Sequence, residues 1–168
     1  KTLPYNLMGT GQCLESRNLL AGNRLHLGAW HGYQEVFFGS PMRVQAIRMR
    51  CLLEDGAYVN IILNRHHKGF SAIRVSRDKN RPNLYFQALP SGQIVRKWPL
   101  PLPAPRPDWN RLQVERSGPR WVVTLGDQQC GLEAGEEMPG IVGLRGGRKD
   151  AIVDDLEVRA EDGLVVRE

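Results

Sequence analysis

The chain has 168 residues, with 41% hydrophobic and 24% charged side chains, 18 glycines and 11 prolines. This length and composition suit one domain with a two-layer core and exclude an intrinsically disordered chain. The formal charge of +5 includes no run of five basic residues and no nucleic-acid module signature, and no apolar stretch approaches the ~20 residues of a membrane span, so neither a nucleic-acid partner nor a transmembrane segment is expected.

The first predicted strands are short and surround a turn. Arg24–Gly28 and Gln34–Gly39 flank a turn-rich sequence that contains Trp30, which is a candidate rim contact for a ligand. Cys13 precedes these strands, and both it and Cys130 lie near turn-like residues. The two cysteines could form a disulfide, although their spacing alone does not show it.

The next segment, Arg43–Glu54, alternates apolar and polar residues with the period of a half-buried strand. Its predicted inward residues are Ile47, Met49, Cys51 and Leu53. Asp55-Gly56 follows as a hairpin signal, because both residues tolerate the backbone angles of a tight turn.

Four further strands are predicted in the middle of the chain: Tyr58–Arg65, Phe70–Arg77, Asn83–Leu89 and Gln93–Trp98. The predicted inward residues of these strands are Val59, Ile61, Leu63, Leu84, Phe86 and Ala88. By parity, the opposite face carries polar and aromatic side chains, namely Tyr58, Asn60, Asn64, Arg74, Ser76, Tyr85, Gln87 and Arg96 or Trp98.

The proline-rich segment 99–107 lacks backbone donors at nearly every second position. We interpret it as a surface crossover between sheets, since it lies inside the predicted fold. A ligand for proline-binding modules is the alternative. No segment has a convincing helical period, so the sequence predicts an all-β sandwich of two antiparallel sheets.

The last third of the chain contains the most specific pattern. A hairpin of two alternating strands, 110–117 and 120–125, is followed by Gly140–Arg145 and by Val153-Asp154-Asp155-Leu156. Together these residues resemble the end of a concanavalin A-like lectin/glucanase jelly roll, including laminin-G-like modules. The resemblance implies one jelly-roll domain over residues 1–168, excerpted from or appended to a larger, bacterial and extracytoplasmic or secreted protein.

The resemblance also implies a site for a structural calcium ion. An aspartate at the start of the last strand often ligates calcium in that fold, and Asp154 has the matching position. The alternative is that Asp154 or Asp155 accepts backbone N–H bonds and fixes the terminal strand. The adjacent His66 and His67 point to opposite sides of an extended chain and do not predict a metal site.

Glycoside hydrolases of the resembled fold place two or three carboxylates at alternate positions of one strand. The three middle strands, 58–65, 70–77 and 83–89, contain no Asp or Glu, and Asp78 lies in the loop between the last two. The sequence therefore predicts a non-catalytic recognition module that binds carbohydrate, with acidic glycans among the candidates, on the concave sheet. The predicted binding residues are Tyr58, Asn60, Asn64, Arg74, Tyr85, Gln87, Arg96 and Trp98.

Two alternatives remain open from the sequence. One is a carbohydrate-active enzyme with loop carboxylates at Glu54-Asp55 or between Glu133 and Glu137. The other is an architectural domain whose partner is a neighbouring protein domain. A carboxylate pair on the concave face would favour the enzyme.

Overall fold

The computed structural model describes residues 5–6, 20–21, 24–28, 32–135, 137–163 and 165–167. All regular structure in this part of the chain is β, as predicted. The strands are β1 (Tyr5–Asn6), β2 (Leu20–Ala21), β3 (Arg24–Leu27), β4 (Gln34–Met42), β5 (Val44–Leu53), β6 (Tyr58–Arg65), β7 (Phe70–Ser76), β8 (Leu84–Ala88), β9 (Ile94–Pro99), β10 (Asn110–Ser117), β11 (Arg120–Leu125), β12 (Gln128–Glu133), β13 (Gly140–Gly146), β14 (Ala151–Ala160) and β15 (Val165–Arg167).

The strands form two antiparallel sheets that pack as a sandwich. Sheet A has the order β1-β4-β13-β6-β7-β8-β9, and sheet B has the order β12-β11-β10-β5-β14-β3-β2 with β15 paired to β14. The late strands β13 and β14 each lie in the middle of a sheet, between strands from the first half of the chain. Both sheets therefore depend on the C-terminal third of the sequence.

The core lies between the sheets and is built by alternate residues of each strand. One row of sheet A residues that faces this core consists of Val36, Leu144, Ile61, Ile73, Tyr85 and Trp98, in order across five strand pairs. Sheet B contributes the predicted inward residues of β5, all of which are buried: Ile47, Met49, Cys51 and Leu53. That prediction is confirmed.

The two described cysteines are buried free thiols, Cys51 and Cys130. Burial raises the pKa of Cys51 to about 12, so its thiol stays protonated and behaves as an apolar core residue. Cys13 lies outside the described residues.

The predicted facing of β8 is wrong. Leu84, Phe86 and Ala88 were expected to face the core, yet Tyr85 occupies that position and those three residues lie on the face of sheet A that points away from sheet B. Both faces of β8 are buried. The sequence therefore shows the alternation of the strand but not which of its two faces points towards sheet B.

A second apolar cluster covers this outer face of sheet A. Its buried members are Phe37, Ile62, Phe70, Ala72, Leu84, Phe86 and Ala88. The cluster supplies a firm apolar floor beneath the polar side chains of the same face.

Gly143 belongs to this floor and allows a close approach between strands. It pairs with Phe37 on one side and Ile62 on the other. A Cβ added at this position would lie 2.5 Å from Cδ1 of Phe37 and 2.6 Å from the carbonyl oxygen of Val36. Gly143→Ala is expected to lower the free energy of unfolding by about 1–3 kcal/mol, because the strand pair must move apart.

Urea unfolding of Gly143→Ala measures this loss. The matched control is Gly131→Ala on β12, where the three atoms nearest to the added Cβ all belong to the flexible Arg120 guanidinium, the first at 3.0 Å. A loss at Gly143 no larger than the loss at Gly131 would contradict the close packing described here.

The proline-rich segment after β9 crosses from sheet A to β10 of sheet B, as predicted. The Asn83 side-chain amide donates to the carbonyls of Leu102 and Pro103, at 3.4 and 3.0 Å, and so attaches the crossover to sheet A. Among the described residues, no helix is long and apolar enough to cross a membrane.

Candidate functional site

The strands of sheet A have a strong excess of positive charge. Their only acidic residue is Glu35, and their basic residues are Arg65, Arg74, Arg96, Lys97 and Arg145. Most of these side chains belong to the outer face of the sheet. This face is the candidate site, and we call it the arginine face: Tyr58, Asn60, Arg65, Arg74, Arg145 and Glu35.

The strand register brings four of these residues into one line. Arg145 pairs with Glu35 on one side and with Asn60 on the other, and Asn60 pairs with Arg74. Directly paired residues of antiparallel strands project from the same face. The register therefore places an acid, two cations and an amide side by side across β4, β13, β6 and β7.

Glu35 is the electrostatic centre of this line. Its side chain is 0% exposed and accepts hydrogen bonds from both Nη atoms of Arg65, at 3.2 and 3.1 Å. It also accepts a bond from Nε of Arg145 at 2.6 Å, and Nη2 of Arg145 contacts the same oxygen. One buried carboxylate thus compensates two largely buried guanidinium groups.

The aromatic rings of the face are covered by these cations. The Arg65 guanidinium lies 4.8 Å from the ring centre of Phe37 and 5.0 Å from that of Phe70. The Arg145 guanidinium lies 4.2 Å from the ring centre of Tyr33. Cation–π contact of this kind holds the arginines in place, and it leaves those rings occupied rather than open to a sugar.

Arg74 differs from the other two arginines because it has no carboxylate among its hydrogen-bond partners. Its Nε donates to Oδ1 of Asn60 at 2.8 Å, and its guanidinium lies about 5 Å from the ring centres of Tyr58 and Phe86. Neither of its Nη atoms donates to another described residue. Arg74 therefore presents a fixed guanidinium fork whose two outer donors are open.

The electrostatic surroundings of Arg74 disfavour its charge. Burial is the largest cause that lowers its pKa, and the positive charges of Arg81 and Arg145 lower it further, while Tyr58 and Asp78 act in the opposite direction. Arg74 is thus a partly desolvated cation with cationic neighbours. An anion that reached its outer donors would relieve both effects.

Three of the predicted binding residues, Tyr58, Asn60 and Arg74, are brought together on this face. Asn64 was expected beside them, and that expectation is wrong. The pairing of β6 with β13 shifts register between Ile141 and Gly143, so β6 contains an extra residue that reverses the parity. As a result, Arg65 reaches the arginine face, while Asn64 turns away and accepts a bond from the Ser71 amide at 2.7 Å.

Tyr85, Gln87, Arg96 and Trp98 project from the opposite face of sheet A, so their predicted outward position is also wrong. Tyr85 pairs with Trp98, and Gln87 pairs with Arg96. Tyr85 is 0% exposed, stacks on Trp98 at 5.1 Å between ring centres, and donates its hydroxyl to Oε1 of Glu137 at 2.6 Å. The reason is that β8 faces the opposite way from the prediction, and β9 follows it through strand pairing.

Burial of the Tyr85 hydroxyl beside Glu137 makes the free energy of unfolding vary with pH in the alkaline range. Burial, followed by the charge and hydrogen bond of Glu137, raises the pKa of Tyr85 well above its ordinary value of 10.0. A raised pKa in the folded state contributes stability that is complete below the pKa of the unfolded chain and is lost as pH rises above it. We expect Tyr85→Phe to lose about 1 kcal/mol at neutral pH but to show a shallower decline above about pH 10.

Urea unfolding of the wild type and Tyr85→Phe between about pH 8 and pH 11 measures this slope, which is at most about 1.4 kcal/mol per pH unit for one group. Parallel stability profiles for the two proteins over that range would contradict the burial of an un-ionised Tyr85 hydroxyl.

Asp154 lies on sheet B and contacts arginines. Its Oδ2 accepts bonds from Nη2 of Arg50 at 2.8 Å and Nε of Arg24 at 3.3 Å, and its Oδ1 accepts the Asp155 amide at 3.0 Å. Within the described ranges no group of three or more His, Cys, Asp and Glu side chains could hold a metal ion. This donor set does not fit calcium, which takes 6–8 oxygen ligands, whereas the alternative role, in which Asp154 accepts a backbone N–H, is present.

The loop carboxylates proposed for an enzyme occupy different environments. Asp55 is 92% exposed on the β5–β6 turn, and Glu54 accepts the Asp150 amide at 2.9 Å. Glu133 forms a surface ion pair with Arg120 at 3.1 Å, and Glu137 is buried beside Tyr85. None of these carboxylates reaches the arginine face.

Sequence reasoning missed Glu35, Arg65 and Arg145 as site residues. Glu35 lies in the predicted strand Gln34–Gly39, and Arg145 ends the Gly140–Arg145 motif. Neither residue was assigned to a face, and only the register of β4, β13 and β6 shows that they meet. Trp30, the predicted rim contact, lies outside the described residues.

Solved structures share this fold at low sequence identity. The carbohydrate binding module CBM66 from Bacillus subtilis is 14% identical, with a TM-score of 0.59, and the match covers 74% of this chain and 80% of that chain. A toad ovary galectin in complex with thio-digalactose is 8% identical, with a TM-score of 0.57 and coverage of 76% and 98%. Chicken galectin 2 is 13% identical, with a TM-score of 0.55 and coverage of 71% and 97%.

No protein-family model and no curated protein sequence matches the chain. The structural neighbours are jelly rolls of the concanavalin A-like lectin fold, so the predicted two-sheet, concanavalin A-like jelly roll is confirmed. At these identities the likeness is one of fold, and a shared fold leaves the function to be argued from the residues of the site.

Proposed function

We propose that this domain is a non-catalytic recognition module that binds acidic saccharides, such as uronate or sulfated glycans, on the arginine face. The observation that carries the proposal is the open guanidinium fork of Arg74. Its Nε is held by Asn60 and its plane by two aromatic rings. A carboxylate or sulfate that accepts from both Nη atoms would form a bidentate, charge-assisted pair.

The charge balance of the face supports an anionic ligand. Arg65 and Arg145 share one carboxylate, and Arg74 has none among its hydrogen-bond partners. A neutral ligand would leave this excess of positive charge uncompensated, whereas each carboxylate of an acidic glycan would reduce it. The flat donor geometry of arginine matches carboxylate and sulfate oxygens.

Saccharides are the favoured class of anion because proteins of known structure with the same fold include carbohydrate-binding proteins. The neighbours with the same architecture include proteins whose names state carbohydrate binding or a bound galactoside. The occupied rings of the arginine face distinguish this chain from a site that stacks sugars on open aromatics. Recognition here would rest on charge and hydrogen bonds.

The environment of Glu35 supports a non-catalytic role for this face. Glycoside hydrolysis requires an acid and a base on opposite sides of the scissile bond. Glu35 is the only acidic residue in the sheet A strands, and it is fully buried beneath two arginines. It therefore has no free oxygen to offer to a substrate.

A glycan array that contains acidic and neutral saccharides tests the proposal on the isolated domain. We expect binding to uronate or sulfated glycans and its loss in Arg74→Ala. Binding to neutral glycans alone would contradict the proposal, and absence of all glycan binding would favour a protein-contact role on a neighbouring domain.

A further inference from the structure

A cavity of about 410 Å³ opens at one end of the sandwich. It lies where the β4–β5 and β10–β11 turns meet the loop between β12 and β13, so both sheets contribute to its wall. The side chains that matter for its chemistry are Arg43, Gln45, Asn64, Arg116, Trp121 and Glu137. None of these residues belongs to the arginine face.

Glu137 is the fixed acceptor of the cavity. Its carboxylate accepts the Tyr85 hydroxyl at 2.6 Å and the Asn64 amide at 3.2 Å. Arg43 donates to its main-chain carbonyl at 3.0 Å. The side chain is almost fully buried and is held by two residues of sheet A, while Glu137 still lines the open volume.

Arg116 and Trp121 line the cavity on the side of sheet B. Arg116 is fixed by the carbonyls of Gly118 and Gly135, at 3.0 and 2.8 Å, and its Nη1 lies 3.9 Å from Oε2 of Glu137. Its guanidinium lies 5.3 Å from the Trp121 ring centre. Trp121 is 1% exposed, and its Nε1–H has no hydrogen-bond partner among the described residues.

A buried indole N–H without a partner is uncommon in a folded protein and calls for an explanation. Here the orphaned donor belongs to a residue that lines an open, polar cavity. The surrounding side chains are already held by second hydrogen bonds, so a ligand would meet a rigid set of donors and acceptors. Such pre-organisation lowers the entropic cost of binding.

We propose that this cavity is a second binding pocket, which takes a neutral saccharide unit. Among its described lining residues, two arginines balance two glutamates, Glu137 and Glu161, so these side chains carry no net charge that would select an ion. A sugar carries hydroxyl groups that both donate and accept. It suits a wall that carries carboxylate, amide and guanidinium groups, and the volume lies within the range of small-molecule pockets.

The pocket and the arginine face would thus select different ligands. The arginine face carries excess positive charge and open donors, whereas the end cavity balances its charges. The proposal for the cavity does not depend on the acidic ligand proposed above. The cavity and the arginine face share no residue, and the arginine face lies on the side of sheet A that points away from sheet B.

The indole N–H of Trp121 reports directly on the cavity. In the ¹H–¹⁵N spectrum of the full chain, its resonance is assigned by its absence in Trp121→Phe. Should that variant unfold, Trp30→Phe, Trp98→Phe and Trp109→Phe assign it by elimination. Glucose, galactose, mannose and fructose are then titrated separately into the wild type. We expect a saturable shift of the Trp121 indole resonance with at least one sugar. No such shift is expected of the Trp109 indole, which precedes β10 and lies under the guanidinium groups of Arg24 and Arg50.

Two variants separate this pocket from the other face. Gln45 lines the cavity, and its side-chain amide donates to the Arg116 carbonyl at 2.9 Å, which leaves its oxygen for a sugar hydroxyl. Gln45→Ala is therefore expected to weaken sugar binding by about two- to tenfold, the loss of one uncharged hydrogen bond. Arg74→Ala should leave the titration unchanged. Failure of all four sugars to move the Trp121 resonance, or equal weakening by both variants, would overturn the proposal.

Discussion

Replacement of Glu35 by glutamine is expected to lower the free energy of unfolding by about 3–5 kcal/mol. The carboxylate is fully buried and holds Arg65 and Arg145 from the floor of the arginine face. Glutamine has nearly the same shape, but it removes the negative charge and leaves two guanidinium groups uncompensated in a poorly solvated position. The cost is therefore electrostatic rather than steric.

Chemical unfolding in urea measures this effect, and a second glutamate supplies the control. Glu133 forms an ion pair with Arg120 in which both side chains are more than half exposed. Glu133→Gln should cost less than about 1 kcal/mol, since exposed pairs contribute little. A Glu35→Gln variant as stable as the Glu133→Gln variant would show that the buried cluster does not hold the face together.

Arg74→Ala is expected to weaken the binding of an acidic oligosaccharide by about 10- to 100-fold. A hydrogen bond to a charged group contributes about 1.5–3 kcal/mol, and about 1.4 kcal/mol corresponds to each factor of ten. Arg74→Lys keeps the charge but lacks the planar fork, so its affinity should lie between those of the wild type and the alanine variant.

The control for this series is Arg48→Ala on the outer face of sheet B. Arg48 is exposed, and its removal changes the net charge by the same amount. An unspecific attraction between a basic protein and a polyanion would weaken equally in both alanine variants. Equal losses at Arg48 and Arg74 would therefore contradict a specific site on sheet A.

Most of the architecture could be predicted because the strands alternate and the turns carry glycine, proline or aspartate. The Asp55-Gly56 turn and the inward set of β5 are examples, since one face of β5 is consistently apolar and the other carries Arg48 and Arg50. The pattern of a half-buried strand therefore predicts which of its faces packs in the core.

The same reasoning failed at β8 because that strand is buried on both faces. An alternation of leucine, tyrosine, phenylalanine and glutamine gives the period but not the direction. The aromatic Tyr85 was therefore assigned to the binding face, although its hydroxyl satisfies Glu137 inside the sandwich. A polar atom on a large ring is compatible with the core once a partner exists there.

The composition of the site could be predicted only in part. Tyr58, Asn60 and Arg74 follow from the parity of two neighbouring strands, whereas Arg65 depends on a bulge that no local pattern announces. Glu35 and Arg145 are separated by more than 100 residues in the chain and meet through strand register. Charge compensation at this distance is a property of the fold, not of the local sequence.

The most direct test of the arginine face compares one oligosaccharide with and without its carboxylate groups. A uronate oligosaccharide and its carboxyl-reduced, neutral counterpart are titrated calorimetrically into the wild-type domain at low and moderate salt. We expect the acidic form to bind at least about tenfold more tightly, as the loss of one charge-assisted pair requires, and its affinity to fall as salt is added. Equal affinity for the two forms at both salt concentrations would contradict the proposal that the arginine face recognises acidic saccharides.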